Sequence, residues 1–333
     1  MSRTTLAATR KTSLAVLAAT AALCGPIAPA QAQTTFDVIG PHEYELPVGF
    51  KPFNVFVQYA YVQRNNKAFD GDGDRVKGSG SNATVGLSKY VRFWTPESNP
   101  SIGLAYEVIV PEIGIKDRST SSQVSGIGDP LTGFAIWYKP TPSSTFGFQS
   151  FVQIPVGDDS VSDSNWKNLS SLLWDVRLTD KLGWTADAGF VFQNEKKDGS
   201  RPGTTFHTNH RLGYRVNGLL EPFVAVDYEH SSKTSTVDSS HALDARVGLT
   251  FHTFDNQSIT LRYSKSIEGE NHSSNNSVNL KYAYVWFQTA AELFTPPESR
   301  WTRLARAQET KTRELWKKEL DAKGIPYKDY MLE

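Results

Sequence analysis

Residues 277 to 287 read S-V-N-L-K-Y-A-Y-V-W-F, an alternation that places Val278, Leu280, Tyr282, Tyr284 and Trp286 on one face. Asn279, Lys281 and Ala283 fall on the other face, because side chains of a strand point alternately to its two sides. A strand with an aromatic-rich apolar face and a polar back suits lipid on one side and water on the other. It cannot stand alone, since unpaired backbone groups are not tolerated in hydrocarbon. The rest of the chain must supply its partners.

Eleven further segments alternate in the same way. Strands are predicted near 53–63, 82–93, 101–111, 131–139, 145–155, 170–178, 183–194, 205–216, 219–230, 242–252, 258–265 and 277–287, twelve in all and therefore an even number. The expected lipid faces include Val55, Val57, Tyr59 and Tyr61 in the first strand and Ile102, Leu104, Tyr106, Val108 and Val110 in the third. Further along they include Leu172, Trp174 and Val176, and then Val224, Val226 and Tyr228. The opposite faces carry Gln58 and a set of charges expected to line the lumen: Glu107, Asp175, Arg177, Asp187, Arg211, Arg215, Glu221, Asp227, Asp244, Arg246, Arg262 and Lys281. Alternation by itself also fits a soluble sandwich with its apolar face turned inward. The connections separate the two. Loops at 64–81, 112–130, 156–169, 195–204, 231–241 and 266–276 all fall at one end, and the short turns, Asn217-Gly218 among them, all fall at the other. Long extracellular loops and short periplasmic turns are the asymmetry of outer-membrane barrels.

The chain opens with Arg3, Arg10 and Lys11, an apolar run from Leu14 to Ile27 and then Ala30-Gln31-Ala32. This is the pattern of a secretory signal peptide, with cleavage expected after Ala32, and the run is too short for a membrane helix. Removing it removes Cys24, the one cysteine, so disulfides are excluded and any metal would be left to His and carboxylates. The 35 acidic and 35 basic side chains balance, which argues against a nucleic-acid partner. Four parts are therefore expected: the signal peptide at 1–32, a Pro- and Gly-punctuated periplasmic lead-in at 33–52, an all-β, closed antiparallel transmembrane barrel at 53–287, and a periplasmic helical tail at 288–333. In the tail, 298–323 has Trp301, Leu304, Leu315, Trp316 and Leu320 at helical spacing, with Pro296-Pro297 before it and Gly324-Ile325-Pro326 after. That amphipathic helix reads as a plug, a docking element for a periplasmic partner or a solvated tail, and its two tryptophans favour packing against something.

Three motifs invite chemistry. Asp70, Asp72 and Asp74 in D-G-D-G-D start like a calcium loop, but Arg75 stands at the sixth position and Ser81 at the twelfth, where Gly and Glu are needed. A solvated turn is the better reading. His230-x-Ser232 and His272-x-Ser274 each place a histidine and a serine on one strand face, as a barrel-rim acyl hydrolase requires, yet no orienting acid can be assigned. The mixed luminal charges read either as neutralising pairs that fill a narrow barrel or as a polar pathway for a solute. Gly126-x-Gly128-Asp129 permits an inward bend, with Asp129 capping the loop before the strand that follows.

At Gly126-Ile127-Gly128-Asp129-Pro130, leading into L-T-G-F-A-I-W-Y-K, the sequence resembles the outer-membrane transporters of the MetA-pathway of phenol degradation family. F-V-Q-I-P-V-G from Phe151 and F-D-G-D-G-D-R-V from Phe69 are similar to other pieces of that family, and the resemblance covers about residues 50 to 287. It implies uptake of small, often aromatic or hydrophobic compounds across the bacterial outer membrane, without enzyme activity or cofactor. The implied partners are outer-membrane lipids, the barrel-assembly machinery during insertion and a small-molecule solute. The C-terminal helix departs from the family's commoner ending at the last strand. An acyl hydrolase and a structural or adhesive barrel are the alternatives. Closure of the barrel requires residues 278–287 to pair antiparallel with residues 54–63.

Overall fold

The computed structural model describes residues 43–118, 120–254, 256–286 and 312–325. Sixteen strands, β1 to β16 in chain order, lie among them. The wall is built from β1 (Phe53–Arg64), β4 (Ser81–Trp94), β5 (Ile102–Asp117), β7 (Leu131–Thr141), β8 (Ser144–Gln153) and β9 (Lys167–Arg177). It continues through β10 (Leu182–Gln193), β11 (Thr205–Tyr214), β12 (Leu220–Ser231), β13 (Ser240–Phe254), β14 (Gln257–Glu270) and β16 (Asn276–Trp286). These twelve pair in sequence order, and β16 returns to β1, so the sheet is a closed antiparallel barrel. The closing pair runs from Asn54 opposite Trp286 to Gln63 opposite Ser277, which is the closure expected from the sequence. Closure leaves no wall strand with an unpaired edge, the condition for a sheet in lipid.

Large apolar side chains cover the outside. Leu172 keeps 62% of its surface exposed and Phe134 60%, and Ile136, Phe148, Val224, Val247 and Leu280 are exposed with them. Such a continuous apolar band belongs against lipid. Short connections gather at the end where β1 starts. At one of them Val216 N–H donates to the Leu220 carbonyl while the Asn217 carboxamide oxygen accepts from the Leu219 and Leu220 amides, both at 2.9 Å. The expected two-residue Asn-Gly hairpin is thus a longer turn capped by the asparagine side chain.

Four short strands decorate the other end. β2 (Lys67–Phe69), β3 (Arg75–Lys77) and β15 (His272–Ser273) form a small sheet that ties the first long loop to the last. At its tip Asp70 Oδ1 accepts the Asp72 and Asp74 amides at 3.1 and 2.9 Å, so this carboxylate closes a hairpin turn. β6 (Gln123–Ile127) continues the line of β7 along the upper half of β5, with Gly128-Asp129-Pro130 between them. Asp129 Oδ1 accepts the Gly157 amide at 2.9 Å and the Ser162 hydroxyl at 2.6 Å, which caps the following loop where the wall bends. Residues 312–322 form a helix with mostly exposed side chains, and Trp301 lies outside the described residues.

One strand faces the opposite way to its sequence reading. In β1 the residues Val57, Tyr59 and Gln63 are buried inside the barrel with Val55 and Tyr61 on the same side, while Phe56, Ala60 and Val62 point outward. Gln58 therefore faces the lipid side. There its carboxamide oxygen accepts the Ser88 hydroxyl at 2.8 Å, and the same hydroxyl lies 2.6 Å from Glu112 Oε1. The reason for the reversal lies in what fills the lumen.

Candidate functional site in the barrel lumen

The lead-in does not stay outside the barrel. Residues 43–50 read E-Y-E-L-P-V-G-F, with apolar side chains at every second position from Tyr44 to Phe50 and carboxylates at 43 and 45. Tyr44, Val48 and Phe50 are buried, and the segment lies within the ring of wall strands. Val48 and Phe50 pack with Phe53, Val91, Ala105, Ala135, Trp137 and Val285, and Leu46, Val55 and Phe93 join them. Phe50 stacks on Trp137 at 6.2 Å between ring centres and Phe53 stacks on Phe93 at 4.6 Å. Trp137 Nε1–H donates to the Pro47 carbonyl at 2.8 Å, and the indole occupies the space where a side chain on Gly103 would stand. Gly49, at φ +66, makes the turn between the lead-in and β1. Val55, Val57 and Tyr59 point inward because an apolar segment is there to receive them. Without it they would face water, and the lipid-facing reading would hold.

Polar contacts fix the other side of the segment. Glu45 pairs with Arg177 and, at 3.4 Å, with Arg215. Glu43 pairs with Lys281 and accepts the Tyr59 hydroxyl at 3.0 Å. Tyr44 accepts a hydrogen bond from Gln149 Nε2 at 3.0 Å. Charge-assisted contacts of this kind are the stronger class of hydrogen bond, so the segment is held at several points without a covalent link beyond its own chain.

All twelve charged positions singled out from the sequence point into the barrel. Three of them reach the lead-in: Arg177, Arg215 and Lys281. Most of the rest lie on the far wall and are tied to one another or to neighbours. Asp227 receives both Arg211 and Arg246, all three with side chains at 0% exposure, and Arg246 also reaches Asp244 at 3.5 Å. Asp187 accepts from Asn209 at 2.6 Å, and Asp175 accepts from Thr185. Glu221 meets His252 at 2.9 Å and Arg215 at 3.7 Å, while Glu107 on the near wall takes Lys89 at 2.7 Å. Arg262 lines a cavity together with Lys281. The sequence reading did not single out Glu43, Tyr44, Glu45, Lys89, Trp137 or Phe223 as luminal residues. For the lead-in, the available signal was the period-two pattern of Tyr44, Leu46, Val48 and Phe50 ahead of the first strand.

That cavity, with an empty volume of about 400 Å3, lies along the closing seam between Tyr59, Tyr61 and Leu87 on one side and Phe223 on the other. It combines aromatic and aliphatic walls with two cationic heads, the mixture that small-molecule sites use for affinity and orientation.

The two His-x-Ser pairs are not equivalent to each other. His230 is exposed on the outer face of β12. His272 is half-buried at the rim of the lumen, with Nε2 3.0 Å from Glu229 Oε1 and Nδ1 2.8 Å from the Ser273 carbonyl. Both partners are acceptors, an arrangement that the imidazolium cation, with a donor at each ring nitrogen, satisfies in full. Burial alone would lower its pKa, but the Glu229 hydrogen bond and charge outweigh it and raise the value above that of an ordinary histidine. With both ring nitrogens committed to these acceptors, neither is directed at Ser274 as a general base would be.

Comparison with known proteins bears on the same barrel. The family described as MetA-pathway of phenol degradation matches residues 65–282. An outer membrane channel from Pseudomonas putida F1 superposes with a TM-score of 0.65 at 16% identity, covering 74% of this chain and 100% of that one. The CymD monoaromatic hydrocarbon channel gives a TM-score of 0.44 at 9% identity, covering 75% and 93%. A FadL homologue from Pseudomonas aeruginosa gives 0.35 at 12%, covering 71% and 89%. No curated protein matches the sequence.

Proposed function

The chain belongs to the MetA-pathway of phenol degradation family of the bacterial outer membrane, and from that premise we propose that it is a passive channel for uptake of small aromatic or hydrophobic compounds. The observation that carries the reading is a closed barrel whose lumen holds a cavity with aromatic walls beside a segment of its own chain. Only non-covalent contacts hold residues 43–50 to the wall, so their displacement opens the path without unfolding it. Residues 1–32 serve export and are removed, the barrel-assembly machinery inserts the wall, and the tail at 288–333 stays in the periplasm, where its helix meets a periplasmic partner. The charges of the far wall are largely neutralised by each other, so that wall orients the solute and does not select its net sign. The protein performs no reaction on its solute and needs no cofactor.

Liposome swelling with small neutral aromatics tests the reading. The full chain should pass phenol-sized solutes slowly, and a variant lacking residues 43–50 should pass them and small ions faster. No permeation in either form would exclude a channel. A rim acyl hydrolase is excluded in the same preparation if phospholipid deacylation is absent, and Ser232→Ala and Ser274→Ala should then change nothing.

A further inference from the structure

Two features of the lumen coincide at the β1–β16 seam. One is the cavity, which brings Tyr59, Tyr61, Leu87 and Phe223 around the cationic heads of Arg262 and Lys281. The other is Glu43, whose carboxylate takes the Tyr59 hydroxyl at 3.0 Å and the Lys281 ammonium. Two of the polar groups that line the cavity thus already bind a carboxylate. It belongs to the one stretch among the described residues that lies inside the barrel without being part of the wall. Lys281 Nζ also lies 5.9 Å from the centre of the Tyr59 ring, so a carboxylate and an aromatic ring border the same ammonium.

We propose that this cavity binds small organic anions with an aromatic body, single-ring carboxylates above all, and that the bound carboxylate replaces Glu43 on Lys281 and Tyr59. The proposal rests on the uptake reading above and names its solute class. Replacing one carboxylate by another conserves the charge and the hydrogen bonds of Lys281, so the ammonium is never left bare in the lumen. Glu43 has the advantage of being tethered, which gives it a high effective concentration. A free solute must therefore gain what Glu43 lacks, a ring packed against Tyr61, Leu87 and Phe223. A neutral aromatic compound fills the same space but leaves Glu43 where it is. Only the anion loosens residues 43–50 from the seam, so binding and opening are coupled by differential affinity for the two positions of the segment.

Calorimetric titration of the full chain in detergent with benzoate and with benzamide reads this directly. Glu43→Gln removes the internal competitor and should tighten benzoate binding, and in that variant benzoate should bind at least about tenfold more tightly than benzamide, the scale of one charge-assisted hydrogen bond. Adding Lys281→Gln to Glu43→Gln should weaken benzoate binding by about tenfold. Tyr59→Phe, which deletes one hydroxyl, should weaken it less. Heat-dependent gel mobility reports whether each barrel has folded, and Glu43→Gln with Tyr59→Phe decides the matter if Lys281→Gln does not fold. Equal binding of benzoate and benzamide by Glu43→Gln, or a benzoate affinity no tighter in Glu43→Gln than in the unmodified chain, overturns the proposal, as does absence of benzoate binding. Swelling with neutral phenol separates this outcome from the wider reading: permeation without benzoate preference leaves the channel standing and removes only the anion site.

Discussion

The two walls of the lumen solve the same problem by opposite means. On the β1–β7 side, Phe53, Val91, Ala105, Ala135 and Trp137 point inward and are covered by Val48 and Phe50 of the lead-in, so this half of the interior is a hydrophobic core like that of a soluble domain. On the β9–β14 side, Asp175, Asp187, Arg211, Asp227, Asp244 and Arg246 point inward and are tied to one another or, for Asp175 and Asp187, to Thr185 and Asn209. A barrel interior need not be polar throughout. It must only be filled or solvated, and here one half is filled by the chain's own N-terminal segment. The difference also divides the labour, since the apolar half can release its occupant while the charged half has no removable part.

The largest effect should come from the apolar half. Trp137→Ala removes an indole at 1% exposure that packs on Phe50 and Phe93 and anchors the Pro47 carbonyl. It should cost about 4 kcal/mol in the unfolding of the barrel by denaturant, the usual penalty for a large aromatic truncated in a core. It should also raise conductance in planar bilayers, because the lead-in loses its anchor. If stability falls and conductance does not, the apolar half holds the wall together without holding the segment.

The charged half should respond to loss of a partner and not to loss of volume. Asp227→Asn leaves the guanidinium groups of Arg211 and Arg246 facing a neutral amide in a place no solvent reaches. About 3 kcal/mol of destabilisation in the same unfolding experiment is expected, since breaking a buried ion pair strands its other member. Conductance should change little. A large rise would show that the far wall also gates the lumen and would erase the contrast drawn above.

The sequence carried most of the wall and little of the lumen. Strand count, closure and loop asymmetry follow from period-two alternation and turn residues, which act over neighbouring residues and need no knowledge of the interior. The facing of β1 was hidden because both of its faces are apolar: Val55, Val57 and Tyr59 on one side, Phe56, Ala60 and Val62 on the other. An isolated strand of that composition is assigned to lipid by its bulkier face. Only the neighbouring lead-in, read as a partner for β1, reverses the assignment. The charged wall was legible residue by residue, since an Asp or Arg opposite a lipid face has one place to go. Its pairings were not, because they join residues such as Arg211 and Asp227 across strands, with geometry that spacing does not encode.

A smaller test bears on how the lead-in is shared between the halves. The Tyr44 hydroxyl takes a hydrogen bond from Gln149 Nε2, and Gln149 also reaches Ser171 at 3.0 Å. Tyr44→Phe keeps the ring, which packs near Leu173, and removes one polar contact. A loss of about 1 kcal/mol is expected. A loss of the size expected for Trp137→Ala would place the main anchor of the segment in its polar contacts and not in its aromatic cluster.

The smallest effect is confined to the rim, where the last loop is pinned to the charged wall. His272, half-buried, bonds Glu229 of β12, and Asn275 three residues later donates to Asp244 Oδ2 at 2.7 Å. Its pKa in the folded protein is raised above the ordinary value of about 6.5 by Glu229, the Ser273 carbonyl and the charge of Asp244, against the opposing effect of burial. The stabilisation it supplies is therefore complete below about pH 6.5 and is lost as pH rises through the raised value. Amide exchange in residues 266–276, corrected for the intrinsic pH dependence of exchange, should lose protection across that window. The wall strands should not change. His272→Gln should give low protection at every pH, because the amide keeps one hydrogen bond but not the charge. If the loop loosens on lowering the pH instead, the ring is neutral in the folded protein, and the contact with Glu229 is an ordinary hydrogen bond, not an ion pair.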